Sequence, residues 1–236
     1  MDQEKLRRRF ASLSTAHVAD ACLRAGLPVR CAPQGVRPLT PGNKVAGRVA
    51  PARHAGSVDV FLEVFERHAA PGDVLVVDNA GRLDEACVGD LVALEAAAAG
   101  LAGVVIWGLH RDTADLRAIG LPVFSLGALP TGPLRLDDRH PMAVASAGLG
   151  PWQVTSDDVV LGDDDGVLVI PADRAEELLT LAESIRDTEH RQAERIRSGA
   201  TLRAQLRFAD YLAARDRDPG LTFRNHLRGI GGAIEE

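Results

Sequence analysis

Gly72–Pro130, GDVLVVDNAGRLDEACVGDLVALEAAAAGLAGVVIWGLHRDTADLRAIGLPVFSLGALP, alternates short apolar runs with helical segments, and that alternation decides the fold. Val74–Val77 and Val104–Trp107 are brief, unbroken and rich in β-branched residues, which predicts buried strands. Between them Asp90–Ala99 reads as an alanine-rich helix, opened by Gly89-Asp90 with Asp90 as its cap and stopped by Gly100. Thr113–Ile119 is a shorter helix and Pro122–Leu126 a third strand. Strands and helices in this order predict parallel pairing.

In such a sheet, polar residues just past the strands and at helix starts collect anions and metals. At Gly89-Asp90 an N-cap aspartate is the plain reading. The functional reading is that the free N–H groups of Asp90, Leu91 and Val92 face a substrate carboxylate. Arg111 and Asp112 follow the second strand. Neighbouring side chains on a loop are expected to point apart, which gives these two different partners. The planar guanidinium suits a carboxylate or oxyanion, and Asp112 suits a hard cation. One carboxylate makes no protein cage, but it fits Mg²⁺, which keeps several waters and lets substrate complete its shell. Mn²⁺ accepts the same oxygen ligands. Asp90 and Asp112 lie 22 residues apart, across one helix and one strand, so they can converge at one sheet edge.

Outward from this centre, residues 2–12 form a charged helix, and Ser14-Thr15 caps another over His17–Ala25. Residues 31–43 are a Pro- and Gly-rich loop, followed by a strand over Val45–Pro51. Ser57 caps a helix Val58–His68 that places Val60, Phe61, Val64 and Phe65 on one face. Beyond residue 131 the grammar changes. Pro133–His140 and Pro141–Val154 read as strands and turns, and Asp157–Leu161 and Val167–Ile170 as two strands about an acidic turn. Asp173–Arg197 is a long amphipathic helix, and residues 201–215 form another. Residues 1–215 are read as one domain, and 216–236 as a tail packing at a subunit interface, its polar part Thr222–Glu236 docking on a neighbour or fraying.

A chain of 236 residues, 46% hydrophobic but only 4% aromatic, can bury a sizeable core of Leu, Val and Ala. The net charge of -6 argues against a general nucleic-acid binder. Only Lys5 and Lys44 are lysines, in a charged leader and a Pro-Gly turn, so imine chemistry has poor candidates. The three cysteines form no CxxC and read as small buried thiols in a reducing compartment. With no signal-like start and no apolar run of about 18 residues, the expectation is a cytoplasmic protein with no membrane partner. The absence of HExxH or paired cysteines argues against zinc. The seven histidines are expected at the surface or in caps. His110-Arg111-Asp112 spells a kinase triplet without the other kinase motifs, and Asp163–Gly166 lacks the first ligand of an EF-hand loop.

Taken together, four blocks resemble the RraA-like family, which includes the 4-hydroxy-4-methyl-2-oxoglutarate / 4-carboxy-4-hydroxy-2-oxoadipate aldolases. They are Ser14–Ala21, Pro71–Asp78, the stretch from Gly89-Asp90 through Gly108-Leu109-His110-Arg111-Asp112 to Pro122-Val123-Phe124, and Asp157–Pro171. The resemblance covers most of the chain. It implies a single three-layered α/β domain of the swivelling β/β/α type with a C-terminal helical arm, assembled as homotrimers or homohexamers with sites at subunit boundaries. It further implies that Asp112 binds the divalent metal, Arg111 binds substrate, and Asp90 acts in catalysis through water. Gly89–Val92 would contact the oxo-acid carboxylate, and Glu189 of a neighbouring subunit would reach the site. Trp107 and His110 depart from the family's more usual Asp-Gly-x-x-Arg-Asp with a smaller residue before Arg, and for the indole core packing is favoured over a reshaped pocket.

The expected function is a metal-dependent lyase that cleaves a 4-hydroxy-2-oxo acid to pyruvate and a second carbonyl compound, with oxaloacetate decarboxylation as a side activity. Mg²⁺ or Mn²⁺ would polarise the oxo group, Asp90 or Glu189 would take the C4 hydroxyl proton, and Arg111 would steady the enolate. Two alternatives stand beside it. One is a non-catalytic regulator of an RNA-processing enzyme; the other is a lyase or hydrolase for a sugar-derived oxo acid.

Overall fold

The computed structural model describes residues 1–231 and opens with two helices, α1 (Gln3–Ala11) and α2 (Thr15–Arg24). The second begins at a reciprocal cap, in which Ser14 Oγ accepts from His17 N–H and His17 Nδ1 accepts from Ser14 N–H. Two short strands, β1 (Arg30–Cys31) and β2 (Arg37–Pro38), precede the long β3 (Val45–Arg53). The centre runs α3 (Asp59–Arg67), β4 (Val74–Asp78), β5 (Ala86–Val88), α4 (Asp90–Ala98), β6 (Gly103–Trp107), β7 (Leu109–His110), α5 (Thr113–Ile119) and β8 (Val123–Ser125). Two hairpins follow, β9 (Ala147–Leu149) with β10 (Trp152–Val154) and β11 (Asp158–Asp163) with β12 (Gly166–Pro171). The chain continues through α6 (Ala175–Arg197), α7 (Leu202–Gln205), α8 (Phe208–Arg217) and α9 (Phe223–Gly229).

Eight strands form one mixed sheet in the order β1-β12-β11-β3-β4-β6-β8-β2. As the alternation predicts, β3, β4, β6 and β8 are parallel, while the β11–β12 hairpin extends the same sheet in antiparallel register. β3 joins the halves, its first residues pairing with β11 and its last with β4. The sheet curls until its flanks meet: Arg37 on β2 donates to Asp164 O at 3.1 Å, and the Phe124 ring on β8 packs on Gly162 of β11.

Period-two alternation sorts the side chains. Val74 and Val76, Val160, Val167 and Val169 point into the curl, where Phe124, Leu149 and Val154 close the interior. Leu75, Val77, Val104 and Ile106 point outward under α3, α4 and α5. Val159, Leu161, Leu168 and Ile170 face α1, α2 and α6 instead. The fold is therefore the layered α/β arrangement with a C-terminal helical region that the resemblance implies. Among the described residues no helix is long and apolar enough to cross a membrane.

Several expectations are corrected. Asp90 is the first residue of α4 and Gly89, with extended backbone, its cap. α3 has Val58 at its cap position, so Ser57 stands one residue earlier than expected, its Oγ accepting from Asp59 N–H at 3.5 Å. The 31–43 loop contains β2 and ends a strand at Cys31, both held by tertiary pairing rather than by local pattern. No strand forms over Pro133–His140, where side-chain bonds hold irregular backbone. The helix expected over 201–215 breaks at Arg207, whose φ is 48°, into α7 and α8. Part of the expected tail is α9, capped by Thr222 and packed through Phe223 and His226 on Tyr211 of α8. Residues 232–236 lie outside the described residues. Cys31 is exposed rather than buried, whereas Cys22 and Cys87 are buried as expected.

Candidate active site

The carboxyl ends of the parallel strands carry the polar residues: Arg53 ending β3 with His54 after it, Asp78 ending β4 with Asn79 after it, and Ser125 ending β8. Above this edge sits a parallel strand pair that no local pattern announces. β5 pairs with β7, Ala86 opposite Leu109 and Val88 opposite His110, and Arg111 N–H donates to Val88 O at 2.9 Å. That register sets Gly89-Asp90, the residues after β5, beside Arg111-Asp112, the residues after β7.

The convergence is tight. Asp112 Oδ2 lies 3.2 Å from Arg111 Nε and accepts from Asp90 N–H at 3.4 Å. The adjacent pair therefore does not point apart, contrary to expectation. Asp112 adopts a left-handed backbone, φ 59° and ψ 41°, which folds its carboxylate back over the preceding residue. One oxygen of Asp112 thus already sits at the start of α4, where the expected ligand was a substrate carboxylate. Gly89 makes this possible, since a Cβ there would stand 2.3 Å from Asp112 Oδ2. The outer nitrogens of Arg111 remain available, its side chain being 46% exposed. A cavity of about 100 Å³ opens here, lined by Gly89–Val92, Arg111, Val58 and Pro133.

A larger cavity, about 440 Å³, lies among the C-terminal helices beside Arg191, Arg195 and Arg207, and no sequence-expected site residue lines it. The smaller cavity is lined by Asp90, Arg111 and the first turn of α4, and Asp112 touches both without lining it. Glu189 stands elsewhere within the chain. It pairs with His17 Nε2 at 3.1 Å, joining α6 to α2. Among the described residues no three His, Cys, Asp or Glu side chains gather as a metal cage. Asp112 Oδ1 carries no protein hydrogen bond among those residues, so one carboxylate oxygen is free for a cation that keeps its waters.

The structure adds residues that sequence reasoning passed over. His110 is buried, its ring nitrogens bridging Ser125 Oγ at 2.7 Å and Thr113 Oγ1 at 3.0 Å, and burial, then the positive charge of Arg117, depresses its pKa. It pins the end of β7 to β8 and to the start of α5. His54 is also buried, bonded to Asn79 Oδ1 at 3.1 Å and stacked on Phe61. These two contradict the surface expectation for histidines; His54 directly follows β3 and His110 ends β7, and a strand end is the one signal that could have marked them. Trp107 packs into the interior of the curl and against Gly81, away from the cavity, so core packing is its role. Lys44 Nζ is tied to Leu13 O and Ala11 O, and Lys5 to Glu176, which leaves neither lysine at the site.

Fold and site define an α/β protein with a cleft at the carboxyl edge of its parallel strands. The chain belongs to the RraA-like family: the family model described as Aldolase/RraA matches residues 15–169. It is 31% identical over 149 residues, 62% of this chain and 69% of the relative, to a Halalkalibacterium halodurans protein with the provisional name 4-hydroxy-4-methyl-2-oxoglutarate aldolase. It is 28% identical over 210 residues to Protein DlpA of Legionella pneumophila, covering 84% of this chain but 32% of DlpA, so the chain spans about a third of that relative's length. A crystal structure of Streptomyces coelicolor RraAS2, described as an unusual member of the RNase ES inhibitor RraA protein family, superposes with TM-score 0.68 at 28% identity, covering 81% of this chain and 98% of that one.

Proposed function

We propose that this chain is a divalent-metal-dependent lyase that cleaves a 4-hydroxy-2-oxo acid into pyruvate and a second carbonyl compound. The observation that carries this reading is the meeting of Asp112 with Arg111 and with the start of α4, where Arg111 and Gly89–Val92 line one small cavity. Asp112 would hold the ion through its free oxygen, with water and substrate completing the shell. A bound Mg²⁺ or Mn²⁺ supplies an electron sink at the oxo group. The remaining work falls to the chain. Arg111 grips the carboxylate and receives negative charge developing on the three-carbon fragment. N–H groups of the first turn of α4 at Leu91 and Val92 add positive potential. Asp90, half-buried at the cavity, takes the C4 hydroxyl proton through a water, and Glu189 of a second copy is the alternative base. The C3–C4 bond then breaks, its electron pair passes to C3, and protonation there gives pyruvate. Oxaloacetate loses carbon dioxide through the same enolate.

A lactate-dehydrogenase-coupled assay over a panel of 2-oxo acids, with and without EDTA, tests the reading. Pyruvate should appear only with metal, and Arg111→Ala and Asp112→Ala should each lower its release by at least about 100-fold. Full activity in either variant removes that residue from its role. The second reading, a binding regulator of an RNA-processing enzyme, draws support from the likeness to RraAS2. Tight capture of such a partner, with no pyruvate from any 4-hydroxy-2-oxo acid, would reverse the ranking. Assembly as a trimer or hexamer belongs to the first reading and is checked by sedimentation.

A further inference from the structure

Residues 131–137 form no regular secondary structure, yet buried polar bonds sew them down. Ala86 N–H donates to Thr131 O at 3.0 Å, and Leu134 N–H donates to Glu85 Oε2 at 2.9 Å. Arg135 Nε donates to Glu85 Oε1 at 3.0 Å, where the Glu85 side chain is 0% exposed. The same guanidinium reaches His54 O at 3.1 Å and Asn79 Oδ1 at 3.0 Å, and it also pairs with Asp137. One arginine therefore ties this strap to the ends of β3 and β4 and to the entrance of β5.

Between those anchors the strap lies on Arg111. A Cβ at Gly132 would stand 2.8 Å from Arg111 Nη1 and 3.7 Å from Cζ, and nothing else falls within 4 Å of it. Gly132 is not among the glycines with positive φ, so it is there for space rather than for backbone freedom. On the other flank, a Cβ at Gly89 would stand 3.2 Å from Arg111 Nε. The guanidinium is thus bracketed by two glycines, and the next strap residue, Pro133, lines the cavity.

We propose that the 131–137 strap is the positioning element for Arg111. Gly132 provides the groove in which the guanidinium lies, and the buried Glu85–Arg135 latch holds that groove in place. This rests on the reading that Arg111 binds the substrate carboxylate. Gly132, Glu85 and Arg135 act through Arg111: a pre-aimed guanidinium gives up less side-chain freedom when the anion arrives than a free one does.

The test uses the full-length protein with saturating Mg²⁺ and pyruvate as the probe, followed by calorimetry. Gly132→Ala is expected to raise the pyruvate Kd and the KM for a cleaved oxo acid together, by about tenfold, with kcat changed less than about threefold. Its Tm should stay within about 2 °C of the parent, because the added methyl meets only the tip of a flexible side chain. Arg135→Lys keeps the charge beside Glu85 but loses the fork, and should raise the Kd by a smaller factor, about threefold. In an Arg111→Ala background neither substitution should change pyruvate binding further. A crystal structure of Gly132→Ala should show the guanidinium displaced.

An unchanged Kd in Gly132→Ala, an unmoved guanidinium, or an effect that persists without Arg111 would overturn the proposal. If the parent binds pyruvate but cleaves no oxo acid, the lyase reading fails while the strap is still judged on Kd. If the parent binds no 2-oxo acid at all, Arg111 is not a carboxylate ligand and both readings fall.

Discussion

At the scale of single residues, Gly89 and Asp112 act as one device. Asp112 spends backbone strain on a left-handed turn, which aspartate tolerates better than most residues, and gains contact with Arg111 and the start of α4. Gly89 leaves the space this needs, although its own backbone is extended, with φ -130° and ψ -165°, so that any residue could adopt it. Gly89→Ala should therefore fold, costing less than about 1 kcal/mol by chemical denaturation. It should still cut metal-dependent pyruvate release at least about tenfold, since the new methyl displaces the carboxylate. Unaltered turnover would show that the position of Asp112 does not matter to the chemistry. Asp90, Arg111 and Asp112 were legible in the sequence because acids and a guanidinium followed strands and opened a helix. Their convergence at one sheet edge was expected, but the contact of Asp112 with Arg111 was not, because nothing local announces a left-handed aspartate.

At the scale of elements, β3 carries the architecture. It hands the sheet from the antiparallel β11 side to the parallel β4 side, and Gly47 sits at the handover, paired with Val160. A Cβ at Gly47 would lie 2.4 Å from the backbone oxygen of Gly72, which cannot swing aside as a side chain can. Gly47→Ala should destabilise the protein by about 2 kcal/mol, read as a lower denaturant midpoint at unchanged slope. A neutral result would mean that β3 and the turn before β4 are free to separate. Strands β4 and β6 were readable as unbroken β-branched runs, and α4 from its alanine content between Gly89-Asp90 and Gly100. β1, β2, β5 and β7 were not, because two or three residues hold no period and exist only through their partners. The break at Arg207 was missed because α7 and α8 share one helical composition.

At the scale of the whole molecule, the buried polar groups under the strap set the response to acid. Burial pushes the His54 imidazole below its ordinary pKa of 6.5, with the Asn79 hydrogen bond opposing. The unfolded chain then takes up that proton more readily than the folded one, so stability is full above pH 6.5 and falls as pH drops below it. Burial works against ionisation of Glu85, yet bonds from Leu134 N–H and Arg135, with the charges of Arg135 and Arg82, hold its carboxyl below the ordinary 4.5. Its contribution is present above that ordinary value and disappears as pH falls through the lowered one. Thermal melts should therefore show Tm declining from near pH 6.5 downward, and His54→Gln should flatten the first part of that decline. A parent curve flat from pH 7 to pH 5 would contradict this.

By itself the sequence determined the parallel α/β centre and the β11–β12 hairpin and singled out Asp90, Arg111 and Asp112 as candidates, because each is written in apolar runs, turn chemistry or charge at a strand end. Only the tertiary structure decided that the sheet curls until β2 meets β11, that β5 and β7 align the two loops, and that Arg135 latches an irregular strap over Arg111. These features join residues far apart in the chain, and contacts of that kind leave no trace in neighbouring positions.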